Sequence, residues 1–243
     1  MKVSVKDIDV NYIQYGKGSD IVLLHGWGQN IEMMKPLAEK LEKCHRVTIV
    51  DLPGYGDSEE PKTEWTIYDY CDAIEELVRK LKINNPIVMG HSFGGRIAII
   101  YASRNDVKKL VLFGTPCIRK EEKVSTKVKV LKILKKVPLL KNFEEFAKKH
   151  IGSEDYRKAT PIMRKILVNT VNEDLSLCAK CIKCPTLLIW GDNDEAVYLE
   201  EAKEIEKLIP DSGLIVYEGG THYTYLEFIN PISGVLKSFC KEE

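Results

Sequence analysis

Ser92 stands at the centre of the motif that says most about the chemistry of this chain, Gly-His-Ser-Phe-Gly at residues 90–94. The apolar residues 86–89 before it are strand-like, and residues 95–103 after it have the composition of a buried helix. Glycines on both sides of a serine permit a sharp strand-to-helix turn that presents the hydroxyl at a helix N-terminus, where positive partial charge favours a developing anion. This arrangement predicts that Ser92 is a nucleophile.

A serine hydroxyl needs a general base to remove its proton, and the chain offers five histidines, at positions 25, 45, 91, 150 and 222. His222 is the predicted base because it follows the strand-like residues 214–217 and precedes a helical run, which places it at the carboxyl end of a sheet. We expect the His91 side chain to point away from the hydroxyl. We expect His45 to be a solvated loop residue and His150 to lie on the surface.

The base needs a carboxylate to fix its tautomer and to stabilise its charged form. The strand-like residues 186–190 end in Gly-Asp-Asn-Asp, and Asp194 is the predicted partner because it lies further into the loop. Asp192 is the alternative. The order serine, aspartate, histidine is then 92, 194, 222. This is the chain order expected when the nucleophilic serine lies on a strand-to-helix turn.

A tetrahedral intermediate also needs hydrogen-bond donors for its oxyanion. The backbone N–H of Phe93, directly after the nucleophile, is one predicted donor. The other is the N–H of Trp27 in the His-Gly-Trp-Gly sequence 25–28, where glycines let the backbone approach a substrate. The alternative interpretation of that sequence is an ordinary tight turn.

Alternating strand and helix patterns predict how these residues are positioned: a mostly parallel sheet with helices on both faces, which is an α/β fold. Residues 2–10 and 11–15 alternate with period two and predict an antiparallel hairpin at one edge of the sheet. Residues 118–183 lack apolar strand runs and predict a wholly helical insertion. The predicted core is therefore 1–117 together with 184–243. Further predicted strands are 21–24, 46–50 and 110–113, and predicted helices are 31–43, 67–81, 199–208 and 229–239.

Composition limits the classes of partner and compartment. The 243 residues carry 36 basic and 36 acidic side chains, a balance that gives no reason to expect a nucleic-acid partner. No signal peptide and no apolar run of about 20 residues is visible, so we expect a soluble, cytoplasmic protein. Seven scattered cysteines suit reduced thiols. Cys178, Cys181 and Cys184 fit either a metal or redox site or, as we favour, three small residues leading into a strand.

Residues 123–141 form a basic amphipathic segment with seven lysines and no acids. The favoured interpretation is a lid helix with its apolar face on the site and its lysines in water. The alternatives are a membrane-surface helix or a binder of acidic ligands. We expect no stable membrane association, and weak binding to anionic surfaces remains open.

Five motifs in this order resemble the α/β-hydrolase family: residues 25–28, 51–58, 90–95, 190–194 and 220–222. The resemblance spans nearly the whole chain and implies the α/β-hydrolase fold. The insertion at 118–183 corresponds to the family's helical cap, which implies a covered, mainly apolar pocket. The residues expected to line that pocket are His25, Trp27, Phe143, Phe146, Met163 and Tyr223.

The leading functional prediction is a serine hydrolase, carboxylesterase-like, that cleaves a small apolar carboxylic ester through an acyl-enzyme and needs no metal or organic cofactor. An imidazole accepts a proton only when neutral, so activity should fall as the pH drops below about 6–7. The same triad could instead serve C–C bond hydrolysis, lyase or perhydrolase chemistry. A receptor that binds a small apolar ligand and turns it over slowly is the alternative from another class.

Overall fold

The computed structural model of the protein describes residues 1–119 and 159–241. Within these residues the strands are β1 (Lys2–Val5), β2 (Ile8–Gly16), β3 (Ser19–Leu24), β4 (His45–Val50), β5 (Ile87–His91), β6 (Lys109–Phe113), β7 (Thr186–Gly191) and β8 (Ser212–Tyr217). They form one sheet in the order β1-β2-β4-β3-β5-β6-β7-β8.

The described helices are α1 (Ile31–Leu41), α2 (Ile67–Lys80), α3 (Phe93–Arg104), α4 (Pro161–Val171), α5 (Ser176–Lys180), α6 (Leu199–Leu208), α7 (Thr224–Glu227) and α8 (Ile229–Phe239). The α6 and α8 boundaries match the sequence prediction. The α1 and α2 helices end one or two residues earlier than predicted, which is the usual uncertainty at helix ends.

The edge hairpin is present, but its turn lies elsewhere than predicted. β1 pairs antiparallel with β2 from Lys2↔Asn11 to Val5↔Ile8, so the chain reverses at Lys6 and Asp7 and not at residues 10–11. Both turn residues have positive φ, 45° and 60°, as in the two-residue turns that match the twist of a hairpin. The sequence has no glycine there, which removed the usual signal for this turn.

β2 pairs antiparallel with β4, and the remaining neighbours from β4 to β8 pair in parallel. The predicted fold class, a mostly parallel sheet with an antiparallel pair at its N-terminal edge, is confirmed. Because the strands from β3 to β8 run in one direction, the loops that follow them all emerge at one edge of the sheet. Every residue predicted to do chemistry follows one of these strands.

Apolar side chains cover both faces of the sheet. One buried cluster joins the sheet to α2, α3, α5 and α6, and a second joins it to α1 and α8. Each helix contributes the apolar positions of an amphipathic pattern, such as Met34, Leu37, Ala38 and Leu41 in α1. The two layers fix the strands from both sides, so the loops at the carboxyl edge start from rigid positions.

The strand and helix that flank Ser92 are longer than the sequence predicts. Gly90 and His91 continue β5 by pairing with Leu112 and Phe113, and α3 begins at once with Phe93. The sequence prediction started the helix at residue 95 because residues 90–94 were assigned to the turn. A Cβ at Gly94 or Gly95 would collide with the backbone of Leu24 and His25 or with Thr115, so close packing explains both glycines.

Of the predicted insertion 118–183, the structure describes residues 118–119 and 159–183. Leu175, Ala179 and Ile182 around α5 are buried in the cluster that also holds α3. Met163 and Ile166 of α4 are buried in the same cluster, and the boundary of the insertion at 184 stays a prediction. The basic segment 123–141 lies outside the described residues, as do Phe143, Phe146 and His150.

Candidate active site

Ser92 is the single residue between β5 and α3, with φ 50° and ψ −112°. Its N–H donates to the Phe113 carbonyl at 2.9 Å, and its own carbonyl accepts the Arg96 N–H at 3.1 Å. A non-glycine residue with positive φ is strained, and it persists only where its surroundings hold it. Here β6 and the first turn of α3 supply that constraint. The turn is the one the sequence predicts for a nucleophilic serine.

His222 follows β8 in the loop 218–223, which we call the base loop. Its Nδ1 lies 2.8 Å from Oδ2 of Asp194, in the loop after β7. A carboxylate oxygen only accepts hydrogen bonds. This contact therefore places the imidazole proton on Nδ1 and leaves Nε2 able to accept another proton. The His222 side chain is 17% exposed and that of Asp194 1%, so the pair is largely shielded from water.

The second oxygen of Asp194 is held by the backbone. Oδ1 accepts the N–H groups of Ala196 and Val197 at 2.9 and 2.8 Å. Oδ2 is then free to bond the imidazole, and the carboxylate cannot rotate without losing two hydrogen bonds. The orientation of this group is therefore built into the turn after β7.

Asp192, the alternative carboxylate, binds a backbone N–H of the base loop and not the imidazole. Its side chain is exposed, and Oδ1 accepts the Gly219 N–H at 2.7 Å. This bond ties the loop after β7 to the start of the base loop. The structure brings Asp194, and not Asp192, to His222.

Gly114 directly follows β6 and packs against the histidine–aspartate pair. It has φ +47°, and a Cβ built there would lie 3.0 Å from His222 Nδ1 and 3.0 Å from Asp194 Oδ2. Phe113, which precedes it, accepts the Ser92 N–H. A side chain at 114 would therefore press against the pair, and the positive φ by itself favours glycine.

Trp27 and Phe93 carry the predicted oxyanion donors. Their rings meet edge to face, with centroids 5.1 Å apart, which brings residues 25–29, here called the oxyanion loop, against the start of α3. No described residue accepts a hydrogen bond from the backbone N–H of either. The N–H of Phe93 stands at the start of α3, where a donor without a partner can bind an oxyanion.

His25 is placed differently from the prediction that it lines the substrate pocket. Its side chain is fully buried, Nδ1 lies 2.7 Å from the Gly26 carbonyl, and Nε2 accepts the Leu52 N–H at 2.9 Å. Burial lowers the pKa of His25 to about 4, which keeps the ring neutral. A ring with both nitrogens engaged inside the protein fits a scaffold role better than substrate contact. We assign it to shaping the oxyanion loop.

Two other histidines were harder to place from sequence. His45 is buried in β4, 2.9 Å from the Ser19 hydroxyl, so the expectation of a solvated loop residue is wrong. The strand starts one residue earlier than the sequence predicts.

His91 is fully buried, with Nε2 2.9 Å from the His222 carbonyl. Strand alternation indicated only that it points away from Ser92, and nothing local indicated the base loop as its neighbour.

Aromatic side chains gather beside the oxyanion loop. Trp27 also meets Tyr55 edge to face at 5.3 Å, and Tyr70 meets Phe93 at 5.1 Å. Tyr55 and Tyr70 were not predicted as site residues, although Tyr55 belongs to the 51–58 motif. The aromatic faces form an apolar wall next to the predicted nucleophile.

Met163 and Tyr223 occupy opposite sides of this region. Met163 in α4 is buried, with its sulfur 4.0 Å from the Tyr70 hydroxyl and in contact with Gly54. Tyr223 follows His222, is 42% exposed, and has its ring 5.7 Å from the imidazole. The first contact brings α4 of the predicted insertion over the aromatic wall. The second leaves a partly exposed aromatic side chain beside His222.

Arg96 joins α3 to the end of α4. Its guanidinium donates to the carbonyls of Pro116, Thr170 and Glu173 at 3.1, 2.9 and 2.6 Å. The arginine is 3% exposed, and burial lowers its pKa. The cation therefore caps the negative C-terminal end of α4 from a helix that starts at Phe93. This link fixes the described part of the insertion relative to Ser92.

The described residues contain no group of three or more histidine, cysteine, aspartate or glutamate side chains arranged to hold a metal ion. Cys181 is exposed, whereas Cys184 is buried. Across residues 1–119 and 159–241, each helix is too short or too polar to span a bilayer.

A family model described as alpha/beta hydrolase fold matches residues 21–152, more than half of the chain. The chain belongs to the α/β-hydrolase fold family. Lipase 1 of Psychrobacter immobilis is 30% identical over 251 residues, which cover 91% of this chain and 77% of the lipase. A pimeloyl-[acyl-carrier protein] methyl ester esterase of Aliivibrio fischeri is 26% identical, covering 93% of this chain and 95% of the esterase.

Solved structures agree on the fold of this family member. An esterase from Exiguobacterium antarcticum superposes with a TM-score of 0.79 at 25% identity, covering 99% of both chains. A bromoperoxidase from Bacillus anthracis superposes with a TM-score of 0.78 at 23% identity, covering 97% of this chain and 96% of that one. At this identity the second likeness concerns the fold alone.

Proposed function

We propose that the chain is a serine hydrolase that cleaves a small carboxylic ester, with Ser92 as nucleophile, His222 as general base and Asp194 as the group that orients the base. The observation that carries the proposal is the 2.8 Å contact between Asp194 Oδ2 and His222 Nδ1 at the same sheet edge as the strained turn of Ser92. Relatives named as a lipase and a methyl ester esterase support ester chemistry.

The chemistry follows from the proton positions. His222 Nε2 takes the hydroxyl proton as Ser92 Oγ attacks the ester carbonyl, and Asp194 stabilises the resulting imidazolium. The N–H groups of Trp27 and Phe93 donate to the carbonyl oxygen as it becomes negative, each donor being worth about 10²–10³ in rate. The imidazolium returns its proton to the departing alcohol. A water molecule, activated by the same imidazole, then hydrolyses the acyl-serine.

The predicted cap supplies the substrate's apolar surroundings. We propose that the cap is the predicted insertion 118–183, of which Met163 and Ile166 are buried in the same cluster as the core helices. In the described part, Met163 of α4 lies against Tyr70, and Tyr70 lies against Phe93. An ester with an apolar acyl chain fits such a wall because the burial of each CH₂ contributes about 0.8 kcal/mol.

The test is a chain-length series of p-nitrophenyl esters, from acetate to decanoate, for wild type, Ser92→Ala and Ser103→Ala. Ser103 lies on the same helix, and its hydroxyl donates to the Ile100 carbonyl, away from the sheet edge. We expect turnover by wild type and Ser103→Ala, and a loss of at least about 10⁴-fold in Ser92→Ala. Equal turnover by Ser92→Ala would contradict the proposal.

The same series separates the alternatives. Wild-type turnover below about 10⁻³ per second on every ester, with Ser92 still reactive towards a fluorophosphonate, would favour a slow ligand receptor, because enzymes commonly reach about 1–10³ per second. Weak ester turnover with faster cleavage of a carbon–carbon bond in a vinylogous diketone would favour the C–C hydrolase alternative.

A further inference from the structure

One buried polar side chain beside the nucleophile has no part in the proposed chemistry. His91 precedes Ser92 in β5, and its side chain is fully buried at the junction of the oxyanion loop and the base loop. We propose that the buried ring of His91 is a brace, with a hydrogen bond to the base loop and a packing contact with the oxyanion loop, so that His91 is a positioning residue for the base. This inference rests on the proposed function, because it assigns His222 as that base.

The first half of the brace is a hydrogen bond to the backbone of the base itself. His91 Nε2 lies 2.9 Å from the His222 carbonyl, and the two rings lie with centroids 4.7 Å apart. A carbonyl oxygen only accepts, so His91 must carry its proton on Nε2 and donate. His222 is thereby held at two points, by Asp194 on its ring and by His91 on its backbone.

The second half of the brace reaches the oxyanion loop. The Gln29 side-chain oxygen accepts the Gly26 N–H at 3.0 Å and lies 3.3 Å from His91 Nδ1. Nδ1 of a ring that is protonated on Nε2 is an acceptor, as is the amide oxygen, so this second contact is packing and not a hydrogen bond. A Cβ at Gly26 would lie 2.9 Å from His91 Nδ1 and 3.0 Å from Gln29 Nε2. The loop is thus packed directly onto the imidazole and the amide. Gly26 is the residue before the predicted oxyanion donor Trp27.

The surroundings of His91 favour the neutral ring, whose Nε2–H tautomer supplies the donor. The ring is faced by the rings of His222, Tyr223 and Tyr225, and by no described carboxylate. Burial, with a smaller effect from His222, lowers the pKa of His91 to about 3. Two adjacent imidazolium rings would repel, so a neutral His91 leaves the catalytic proton to His222.

A matched pair of variants separates the donor from the bulk of the ring. In His91→Gln, the amide nitrogen takes the place of Nε2 and can still donate to the His222 carbonyl. In His91→Asn, the amide nitrogen takes the place of Nδ1 and falls short of that carbonyl. Both variants are polar and similar in size. The kinetic readout is kcat and KM on the best p-nitrophenyl ester.

We expect His91→Gln to keep kcat within about threefold of wild type and His91→Asn to lose kcat by up to about 10²-fold, with KM changed less than about twofold, because misplacement of the base affects the chemical step. A wild-type kcat in His91→Asn would overturn the brace. So would equal losses in both variants, since these would indicate packing and not the donor.

A second readout does not depend on turnover. Ring-nitrogen NMR of isotope-labelled wild type, with His91 assigned by through-bond correlations from its backbone to its ring, reports its tautomer without any variant. We expect His91 to be neutral with the proton on Nε2 throughout the range from pH 7.5 to 5. A single proton on Nδ1 would overturn the brace even if the variants fail to fold, whereas protonation of both ring nitrogens within that range would overturn the neutral state assigned to His91.

The control is His45→Asn, which alters another buried histidine at the amino end of β4, remote from the carboxyl edge. It should lower stability without changing kcat of the folded protein. Failure of the brace and failure of the proposed function give different results. If His91→Asn is fully active but Ser92→Ala is inactive, only the brace is wrong. If Ser92→Ala is active, the proposed function is wrong, and the NMR result still reports on His91.

Discussion

Asp194 and His222 meet across 28 residues of sequence, with Oδ2 of the carboxylate 2.8 Å from Nδ1 of the imidazole. The other carboxylate oxygen is bound by two backbone N–H groups, so the carboxylate is fixed before any substrate arrives. A fixed carboxylate sets which imidazole nitrogen carries the proton, and hence which one can act as a base.

Asp194→Asn should lower kcat/KM for esters by about 10³–10⁴-fold, because an amide can present an N–H to Nδ1 and favour the wrong tautomer. The matched control is Asp192→Asn, whose side-chain oxygen can still accept the Gly219 N–H. We expect that variant to stay within a few-fold of wild type. Steady-state kinetics on one ester compare the two. Similar losses in both variants would argue against Asp194 as the orienting group.

Gly114→Ala should reduce activity by at least about tenfold, because the added Cβ would lie 3.0 Å from both His222 Nδ1 and Asp194 Oδ2 and the backbone has positive φ. Gly213→Ala is the control, since no described atom lies within 4 Å of a Cβ added there. Kinetics and thermal unfolding measure both. An unimpaired Gly114→Ala enzyme would mean that the pair tolerates displacement.

Arg96→Met should destabilise the folded protein by about 3 kcal/mol, because it leaves one buried and two part-buried carbonyl acceptors without their charged donor. Arg104→Met, on the same helix, removes a half-exposed ion pair with Asp72 and should cost less than about 1 kcal/mol. Urea unfolding gives both free energies. Equal costs would show that the link from α3 to α4 adds nothing beyond a surface ion pair.

Stability should fall in mild acid because of the buried histidines. Burial lowers the pKa of His25 from 6.5 to about 4 and that of His91 from 6.5 to about 3. Below pH 6.5 the unfolded chain therefore binds more protons than the folded one, and the free energy of unfolding decreases as the pH falls towards those values. Urea midpoints between pH 7.5 and 4.5 test this. His91→Gln should show a shallower decrease, and an unchanged slope would exclude His91 as a contributor.

The sequence was sufficient to predict those features that depend on local backbone chemistry. These features are the glycines around Ser92, the apolar strand before it and the order of the loops. They depend on short-range sterics and on the period of the hydrophobic pattern, so the mostly parallel α/β-hydrolase fold could be predicted from them. The roles of Ser92, His222 and Asp194 stay predictions. Their placement at one sheet edge is what a parallel sheet imposes on loops that follow its strands.

Other features depend on contacts that no local pattern encodes. His91 lies 131 residues before its partner His222, and alternation along β5 gives only the face on which its ring lies. The turn at Lys6 and Asp7 adopts positive φ without glycine. The start of α3 depends on the close packing of Gly95 against Thr115. In each case tertiary contact overrides the local preference.

The most direct test of the central claim is the site and rate of labelling by a fluorophosphonate, measured by intact mass and peptide mapping. A Ser92 activated by His222 should take up one adduct per chain, on the peptide that contains residue 92. His222→Ala should label at least about 10²-fold more slowly, because the hydroxyl then lacks its base. An adduct on another residue, or equal labelling of wild type and His222→Ala, would contradict the account.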